Sequence, residues 1–182
     1  MANITLAVTG SISAYKAADL TSQLTKLGHK VTVLMSRSAM DFITPLTLQS
    51  LSKNLVHTDV MVEEDPSLIK HIDIAKETDL FLVAPASANT IAKLAHGMAD
   101  NIVTATALAL PIGIPKLIAP AMNTNMYLNP ATQKNLNTLE EYGFDEVKPR
   151  EALLACGDFG TGALAEVTDI LEKVSNTLNE KK

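Results

Sequence analysis

The sequence predicts a three-layer α/β/α sandwich with a mostly parallel, Rossmann- or flavodoxin-like sheet. Short apolar runs alternate with helical patterns along the chain, which is the arrangement of parallel β-α-β units. The first run, residues 4–8, is almost continuously apolar, as expected of a strand covered on both faces. No internal repeat or linker divides the 182 residues, so we expect one domain over residues 1–182.

The first half of the chain begins with a strand, a turn at residues 9–11 and a helix. Apolar residues at three- and four-residue steps predict that helix: Ala14, Ala17, Leu20, Leu24 and Leu27. Gly28 ends it in the manner of a C-cap. The next predicted elements are a strand at 31–35, a short helix at 46–51, a short strand at 55–57 and a loop over the acidic stretch 62–70.

The second half repeats the alternation of strands and helices. A buried strand is expected at 79–84, and Gly97 and Gly143 close two of the helices that follow. After that strand we expect helices at 88–96 and 100–110, a strand at 116–119, a helix at 130–142, a strand at 144–147 and a last helix at 165–178.

Composition and charge exclude several classes of function. The net charge of −5 and an aromatic content of 4% without tryptophan offer nucleic acid neither a basic patch nor a stacking platform. No apolar run approaches the roughly 18–20 residues that a membrane span needs. Cys156 is the only cysteine, which rules out an internal disulfide, and the N-terminus has no secretory pattern, so we expect a cytoplasmic protein.

Four predicted loops share a polar character and a common position. In a doubly wound sheet, ligands bind beyond the carboxyl ends of the strands. The loops expected at that edge are all rich in Ser, Thr or Asn: residues 9–13, 36–38, 85–90 and 120–125. A shared ligand is the simplest explanation.

The loop Gly10-Ser11-Ile12-Ser13 opens a helix directly after the first strand, where unpaired amides and the helix dipole favour a phosphate. Ile12 and Tyr15 exclude the dinucleotide G-x-G-x-x-G pattern, and Tyr15 also excludes a P-loop. A simple N-cap is the alternative. The second strand ends in Ser36-Arg37-Ser38 rather than an acidic residue, which favours a mononucleotide such as FMN over NAD.

The other two loops and the lone cysteine each have a structural alternative. Ser87 can cap a helix while Asn89 and Thr90 contact a ligand, yet an ordinary polar cap has the same pattern. Asn123 stands where an amide can hold a carboxylate. A lone cysteine is more often a small buried hydrophobe, but Cys156 lies among glycines, as in a mobile flap over substrate.

Four motifs, in this order along the chain, resemble the flavin-containing cysteine decarboxylases, a homo-oligomeric family. They are Gly10-Ser11-Ile12-Ser13-Ala14-Tyr15-Lys16, Pro85-Ala86-Ser87-Ala88-Asn89-Thr90, Pro120-Ala121-Met122-Asn123-Thr124-Asn125-Met126 and Ala155-Cys156-Gly157-Asp158. The resemblance runs from about residue 4 to residue 166. Each motif is weak alone, and the ordered combination is specific.

The resemblance implies a role for each matching residue. His71 and Cys156 would be the catalytic pair, because this histidine alone among four matches the family's catalytic position. The substrate would contact Asn123, which holds its carboxylate, together with Ala155 and Met126. FMN would contact Gly10, Ser11, Ile12, Ser36, Ser38, Ser87, Ala88, Asn89, Thr90 and Ala121. No metal is expected, since no two histidines have ligand spacing with a third donor.

The implied reaction is the FMN-dependent decarboxylation of 4'-phosphopantothenoylcysteine to 4'-phosphopantetheine, a step of coenzyme A biosynthesis. The resemblance also implies a homotrimer or a dodecamer with the flavin near a subunit boundary. A phosphopantothenate–cysteine ligase would be a separate polypeptide. Some bacterial relatives carry Arg and Met where this chain has Ala163 and Leu164, so a phosphate contact at those positions is not expected here.

Three other functions are compatible with parts of the pattern. A peptidyl-cysteine decarboxylase of the same family stops at the oxidised enethiol and has no need of Cys156 as a proton donor. A flavin prenyltransferase has a similar fold. A non-catalytic flavoprotein acting as a regulatory subunit is disfavoured by the presence of His71, Asn123 and Cys156.

Overall fold

The computed structural model describes residues 1–62 and 69–180. Within these residues six parallel strands form one sheet in the order β3-β2-β1-β4-β5-β6, the strand order of the Rossmann fold. The strands are β1 (Asn3–Val8), β2 (Lys30–Met35), β3 (Val56–His57), β4 (Leu80–Ala86), β5 (Lys116–Pro120) and β6 (Phe144–Glu146). A separate antiparallel hairpin joins β7 (Arg150–Leu153) to β8 (Phe159–Ala163).

Eight α-helices among the described residues cover the sheet. They are α1 (Lys16–Lys26), α2 (Pro45–Ser52), α3 (Lys70–Glu77), α4 (Ala88–Ala95), α5 (Ile102–Ala109), α6 (Thr124–Leu128), α7 (Pro130–Glu141) and α8 (Val167–Glu180). Helices α1, α2 and α8 contribute to one buried apolar cluster, and α3, α4, α5 and α7 contribute to the other. The predicted α/β/α sandwich is therefore confirmed. No helix among the described residues is long and apolar enough to cross a membrane.

The central strand β4 is apolar throughout because each of its faces packs against a helix layer. In β4, Leu80, Leu82 and Ala84 belong to the cluster beneath α1 and α8. Phe81 and Val83 alternate with them and belong to the opposite cluster. A side-chain period of two thus divides one apolar run between two cores.

Most predicted elements are present, with small changes at their ends. The helix expected from Ala14 begins as a 3-10 turn over Ile12–Tyr15 before α1 starts at Lys16. Helices α3 and α6 and the β7–β8 hairpin were not predicted from the sequence. The loop expected at 62–70 falls largely on residues 63–68, which lie outside the described residues, and Lys70 already belongs to α3.

The chain reverses its direction of winding between β1 and β4, which are neighbours in the sheet. At that point the loops after the two strands are tied together by Thr9. Its hydroxyl donates to the carbonyl of Pro85 at 2.7 Å and accepts from the amide of Ser87 at 2.8 Å. This switch point is where open α/β sheets bind their ligands.

Candidate active site

A cleft of about 480 Å³ opens at the carboxyl end of the sheet, between the switch point and the β7–β8 hairpin. Loops after β1, β4 and β5 form one wall, and the hairpin forms the other. Ten of the predicted site residues line it: Gly10, Ser11, Ile12, Ser87, Ala88, Ala121, Asn123, Met126, Ala155 and Cys156.

The loop after β1 is held in place by Ser11 and by a close approach of Gly10. Ser11 caps the 3-10 turn, accepting a hydrogen bond from the amide of Ser13 at 3.3 Å, and donates to the carbonyl of Ala121 at 3.2 Å. A Cβ on Gly10 would lie 2.4 Å from the Oγ of Ser38, so only glycine fits there. Ser36 and Ser38, whose hydroxyls are 3.3 Å apart, therefore stand beside this loop although neither lines the cleft.

Ser87 acts as the N-cap of α4. Its Oγ accepts from the amide of Thr90 at 3.3 Å and contacts the Thr90 hydroxyl at 3.2 Å. Thr90 is buried and Asn89 is exposed, and neither lines the cleft. Ser87 is therefore an ordinary polar cap that bonds Thr90, as the structural alternative expects. Ser87 and Ala88 nevertheless also line the cleft.

Asn123 follows β5 and is oriented by its own backbone neighbours. Its Oδ1 accepts from the amide of Asn125 at 2.8 Å and thereby caps the short helix α6. The Nδ2 group is left pointing across the cleft. Met126, one turn further, is half exposed on the same wall.

Three side chains meet across the cleft at the tip of the hairpin. The Nδ2 of Asn123 lies 3.3 Å from the Sγ of Cys156 and 3.3 Å from the Oδ2 of Asp158. The thiol of Cys156 donates to the same Oδ2 at 3.4 Å. Cys156 is exposed, so the alternative of a buried hydrophobe is wrong. Asp158 lies within the Ala155–Asp158 motif but received no role from the sequence.

Two glycines of β8 hold the hairpin against the loop after β5. The amide of Met122 donates to the carbonyl of Gly162 at 2.9 Å, and a Cβ on Gly162 would meet the Met122 carbonyl oxygen at 2.3 Å. A Cβ on Gly160 would lie 2.6 Å from the Oγ1 of Thr124. These contacts let the backbones approach closely enough for Cys156 to reach Asn123.

His71 lies in the first turn of α3 and is not among the residues that line the cleft. Its Nδ1 is buried and has no hydrogen-bond partner among the described residues. The cleft of one chain therefore does not join His71 to Cys156. Of the other histidines, His29 has its pKa lowered by burial, with the N-terminal charge as a smaller cause.

A larger cavity of about 570 Å³ lies elsewhere, between the ends of α4 and α5 and the start of β5. Its lining is mainly apolar and contains none of the predicted site residues. Within the described part of the chain, no three His, Cys, Asp or Glu side chains are grouped so as to hold a metal ion. The predicted site residues that make polar contacts, such as Asn123 and Cys156, thus lie at the smaller cleft and not in the larger cavity.

Comparison with known proteins identifies the family. The model of the family described as "Flavoprotein" matches residues 1–179. The chain belongs to the flavoprotein family. Its cleft at the sheet switch point, with the polar loops after β1, β4 and β5, is accordingly the expected flavin site.

Two curated relatives cover nearly all of this flavoprotein chain. A probable phosphopantothenoylcysteine decarboxylase of Streptococcus mutans is 61% identical over 175 residues, which is 96% of this chain and 98% of the relative. A coenzyme A biosynthesis bifunctional protein of Bacillus subtilis is 47% identical over 170 residues. That match includes 93% of this chain but only 41% of the bifunctional protein.

Solved structures of the same fold carry related descriptions. A cysteine-to-serine mutant of a PPC decarboxylase, in complex with pantothenoylaminoethenethiol, superposes with a TM-score of 0.88 at 31% identity and covers 98% of both chains. The FMN-dependent cysteine decarboxylase SpaF gives a TM-score of 0.86 at 27% identity, covering 99% of this chain and 97% of SpaF. The resemblance drawn from the four motifs is thereby confirmed.

Proposed function

We propose that this protein is an FMN-dependent decarboxylase that converts 4'-phosphopantothenoylcysteine to 4'-phosphopantetheine and CO2, a step of coenzyme A biosynthesis. The observation that carries the proposal is the contact of Asn123, Cys156 and Asp158 across the cleft. An amide suited to a carboxylate and a thiol suited to proton donation thus stand together. The likeness to the Streptococcus mutans relative supports the same substrate.

The residues of the cleft suit FMN. The amides of Gly10, Ser11 and Ile12 would hold its phosphate at the turn that leads into α1. The absent Cβ of Gly10 lets that turn pack directly against Ser38. Ser36, Ser38 and the segment Ser87 to Thr90 would contact the remaining polar groups, and buried Ala121 would lie against the flavin ring.

The chain's own residues then bind the substrate and move a proton. FMN, when bound, would supply a reversible two-electron oxidation at the thiol-bearing carbon, which allows CO2 to leave with no net redox change. Asn123 would hold the cysteinyl carboxylate, flanked by Ala155 and Met126. Cys156 would deliver a proton from Sγ to the decarboxylated product and regain one from solvent.

A site formed by two subunits would give His71 a place beside a cleft. This side chain lies outside the cleft of its own chain, and its buried Nδ1 is without a partner among the described residues. We propose a homotrimer, or a dodecamer built from trimers, in which His71 of one subunit faces the cleft of the next. A cytoplasmic location is proposed as well, because exposed Cys156 must stay reduced to donate its proton.

The mass of the product tests the proposed reaction. FMN-loaded protein is incubated with 4'-phosphopantothenoylcysteine, and we expect a product lighter by CO2 alone. Loss of CO2 and two hydrogens would instead indicate the oxidative chemistry of peptidyl-cysteine decarboxylases. Unchanged substrate with a yellow protein would overturn the proposal in favour of the prenyltransferase or regulatory interpretations. Cys156→Ser is the internal control, expected to release CO2 but to accumulate the enethiol.

A further inference from the structure

Two basic side chains stand on the wall of the cleft, away from the three residues at the hairpin tip. Lys16 is the first residue of α1, and Arg150 is the first residue of β7. They are the only charged side chains among the described residues that line the cleft. The Lys16 side chain is only 19% exposed, so it is held against the protein rather than extended into solvent.

Glu166 fixes both cations from outside the cleft lining. Its Oε1 accepts from the Nε of Arg150 at 2.9 Å, and its Oε2 lies 3.5 Å from the Nζ of Lys16. The Nε of Arg150 also donates to the carbonyl of Leu164 at 3.2 Å. Two cations share one carboxylate, so the cluster keeps one positive charge in excess. Side chains that are already ordered lose little entropy when they bind an anion.

We propose that Lys16 and Arg150 bind the terminal phosphate of the substrate, an inference that rests on the proposed decarboxylase function. A phosphomonoester carries nearly two negative charges at neutral pH. The contacts of Arg150 to Glu166 and Leu164 use its Nε, and the guanidinium has four more N–H donors on its Nη atoms that match a pair of phosphate oxygens. Lys16 adds a point charge beside them.

The substrate is long enough to reach from the tip of the hairpin to Arg150. Strand β7 runs from Arg150 to Leu153, just before Cys156, and its three steps span about 10 Å at the usual rise of a strand. The path of about twelve bonds from the carboxylate carbon to the phosphorus, through the cysteinyl, β-alanyl and pantoyl units, spans about 15 Å when extended, which covers β7 and leaves several ångströms for the residues that lead to Cys156. The carboxylate at Asn123 and the phosphate at Arg150 are therefore compatible in one extended substrate.

The opposite side of the cation pair is unsuitable for a phosphate. A second cavity there, of about 530 Å³, is lined by Lys16 but also by the carboxylates of Asp19 and Glu166. These acidic groups repel an anion, whereas no carboxylate lines the reaction cleft beside Lys16 and Arg150, and Asp158 lies at the hairpin tip with Cys156 and Asn123. The pair thus presents its excess charge to the cleft.

The test compares two substrates that differ only in the phosphate. The kcat/KM values of wild type, Arg150→Met and Lys16→Met are measured with phosphopantothenoylcysteine and with pantothenoylcysteine. We expect each variant to lose roughly 10- to 100-fold on the phosphorylated substrate, as for a charged hydrogen bond, and to change little on the other. Equal losses on both substrates, or a wild type without preference for the phosphate, would overturn the inference. Inactivity of the wild type towards both would overturn the proposed function as well.

Further variants separate phosphate binding from a structural ion pair. Glu166→Gln breaks the pair but keeps both cations, so the preference for the phosphorylated substrate should be retained or increased. If Arg150 only anchors the hairpin, Glu166→Gln should instead impair both substrates as Arg150→Met does. Arg150→Lys should restore part of the preference. Lys173→Met, which loses an ion pair with Asp145 outside the cleft, is the matched control and should leave both values unchanged. FMN titration of each variant detects any loss of cofactor binding.

Discussion

Asp158 contacts both side chains that the proposed chemistry requires. Its Oδ2 accepts from the Cys156 thiol at 3.4 Å and from the Asn123 amide at 3.3 Å. One carboxylate oxygen thereby fixes the direction of the S–H bond and the position of the amide. Asp158 is thus placed to position the proposed proton donor, Cys156.

We expect Asp158→Asn to change the ratio of products more than the binding of FMN. The amide has the shape of the carboxylate but accepts the thiol hydrogen bond less strongly, so delivery of the proton becomes less efficient. One such hydrogen bond is worth about 1 kcal/mol, which corresponds to about a five-fold rise in enethiol relative to phosphopantetheine. Mass spectrometry of single-turnover products measures the ratio. Asp145→Asn, on the surface away from the cleft, should leave it unchanged, and an unaltered ratio in Asp158→Asn would remove its positioning role.

At the level of elements, a buried polar pair connects α6 to β6. The hydroxyl of Tyr127 donates to the Oε1 of Glu146 at 2.9 Å, and Gln133 donates to the Tyr127 carbonyl at 2.6 Å. Burial, followed by the hydrogen bond to Glu146, raises the pKa of Tyr127 to about 12. Burial also raises the pKa of Glu146, against a smaller lowering by the Tyr127 hydrogen bond. The position of the loop that carries Asn123 therefore depends on a carboxyl that resists ionisation.

This pair predicts a pH dependence of stability. Because the pKa of Glu146 is higher in the folded state than its ordinary 4.5, its contribution is complete below that value and is lost as pH rises through the raised pKa. Glu146→Gln has no such titration. We expect the free energy of unfolding of the variant to improve relative to wild type between pH 4 and pH 8, measured by urea denaturation. A difference independent of pH would contradict this assignment, and Glu141→Gln, exposed on α7, is the control.

Elements with strong periodicity were predictable from the sequence, and those formed by tertiary contacts were not. The apolar runs of β1 and β4 and the spacing of Leu20 and Leu24 in α1 identify their elements without the rest of the fold. Helix α6 has five residues between two prolines and is held by the Asn123 cap. Strand β8 contains Gly160 and Gly162, which have low strand propensity and are explained only by their close approach to the Thr124 side chain and to the Met122 backbone.

On the scale of the whole molecule, the sequence predicted which loops meet but not how the proposed catalytic pair, His71 and Cys156, is arranged. Parallel strands bring their carboxyl ends to one edge, so the convergence of the loops around Gly10, Ser87 and Asn123 follows from strand order. The position of His71 depends on α3, an element that was not predicted. Because the lining of the cleft lacks this histidine, a contact between His71 and Cys156 depends on how the subunits are arranged.

Oligomers that contain two different variants test whether His71 and Cys156 act together across a subunit boundary. His71→Asn should keep the fold and the bound flavin but lose turnover, and Cys156→Ser should yield enethiol but no phosphopantetheine. If His71 of one subunit completes the cleft of its neighbour, each trimer that contains both variants restores both residues in one of its three sites, about a third. We therefore expect phosphopantetheine formation at about a third of the wild-type rate from doubly tagged, co-purified trimers. Oligomers of either variant alone are the controls and should form none. If both residues act within one chain, every site keeps one defect, and the mixed oligomers will form no more phosphopantetheine than these controls.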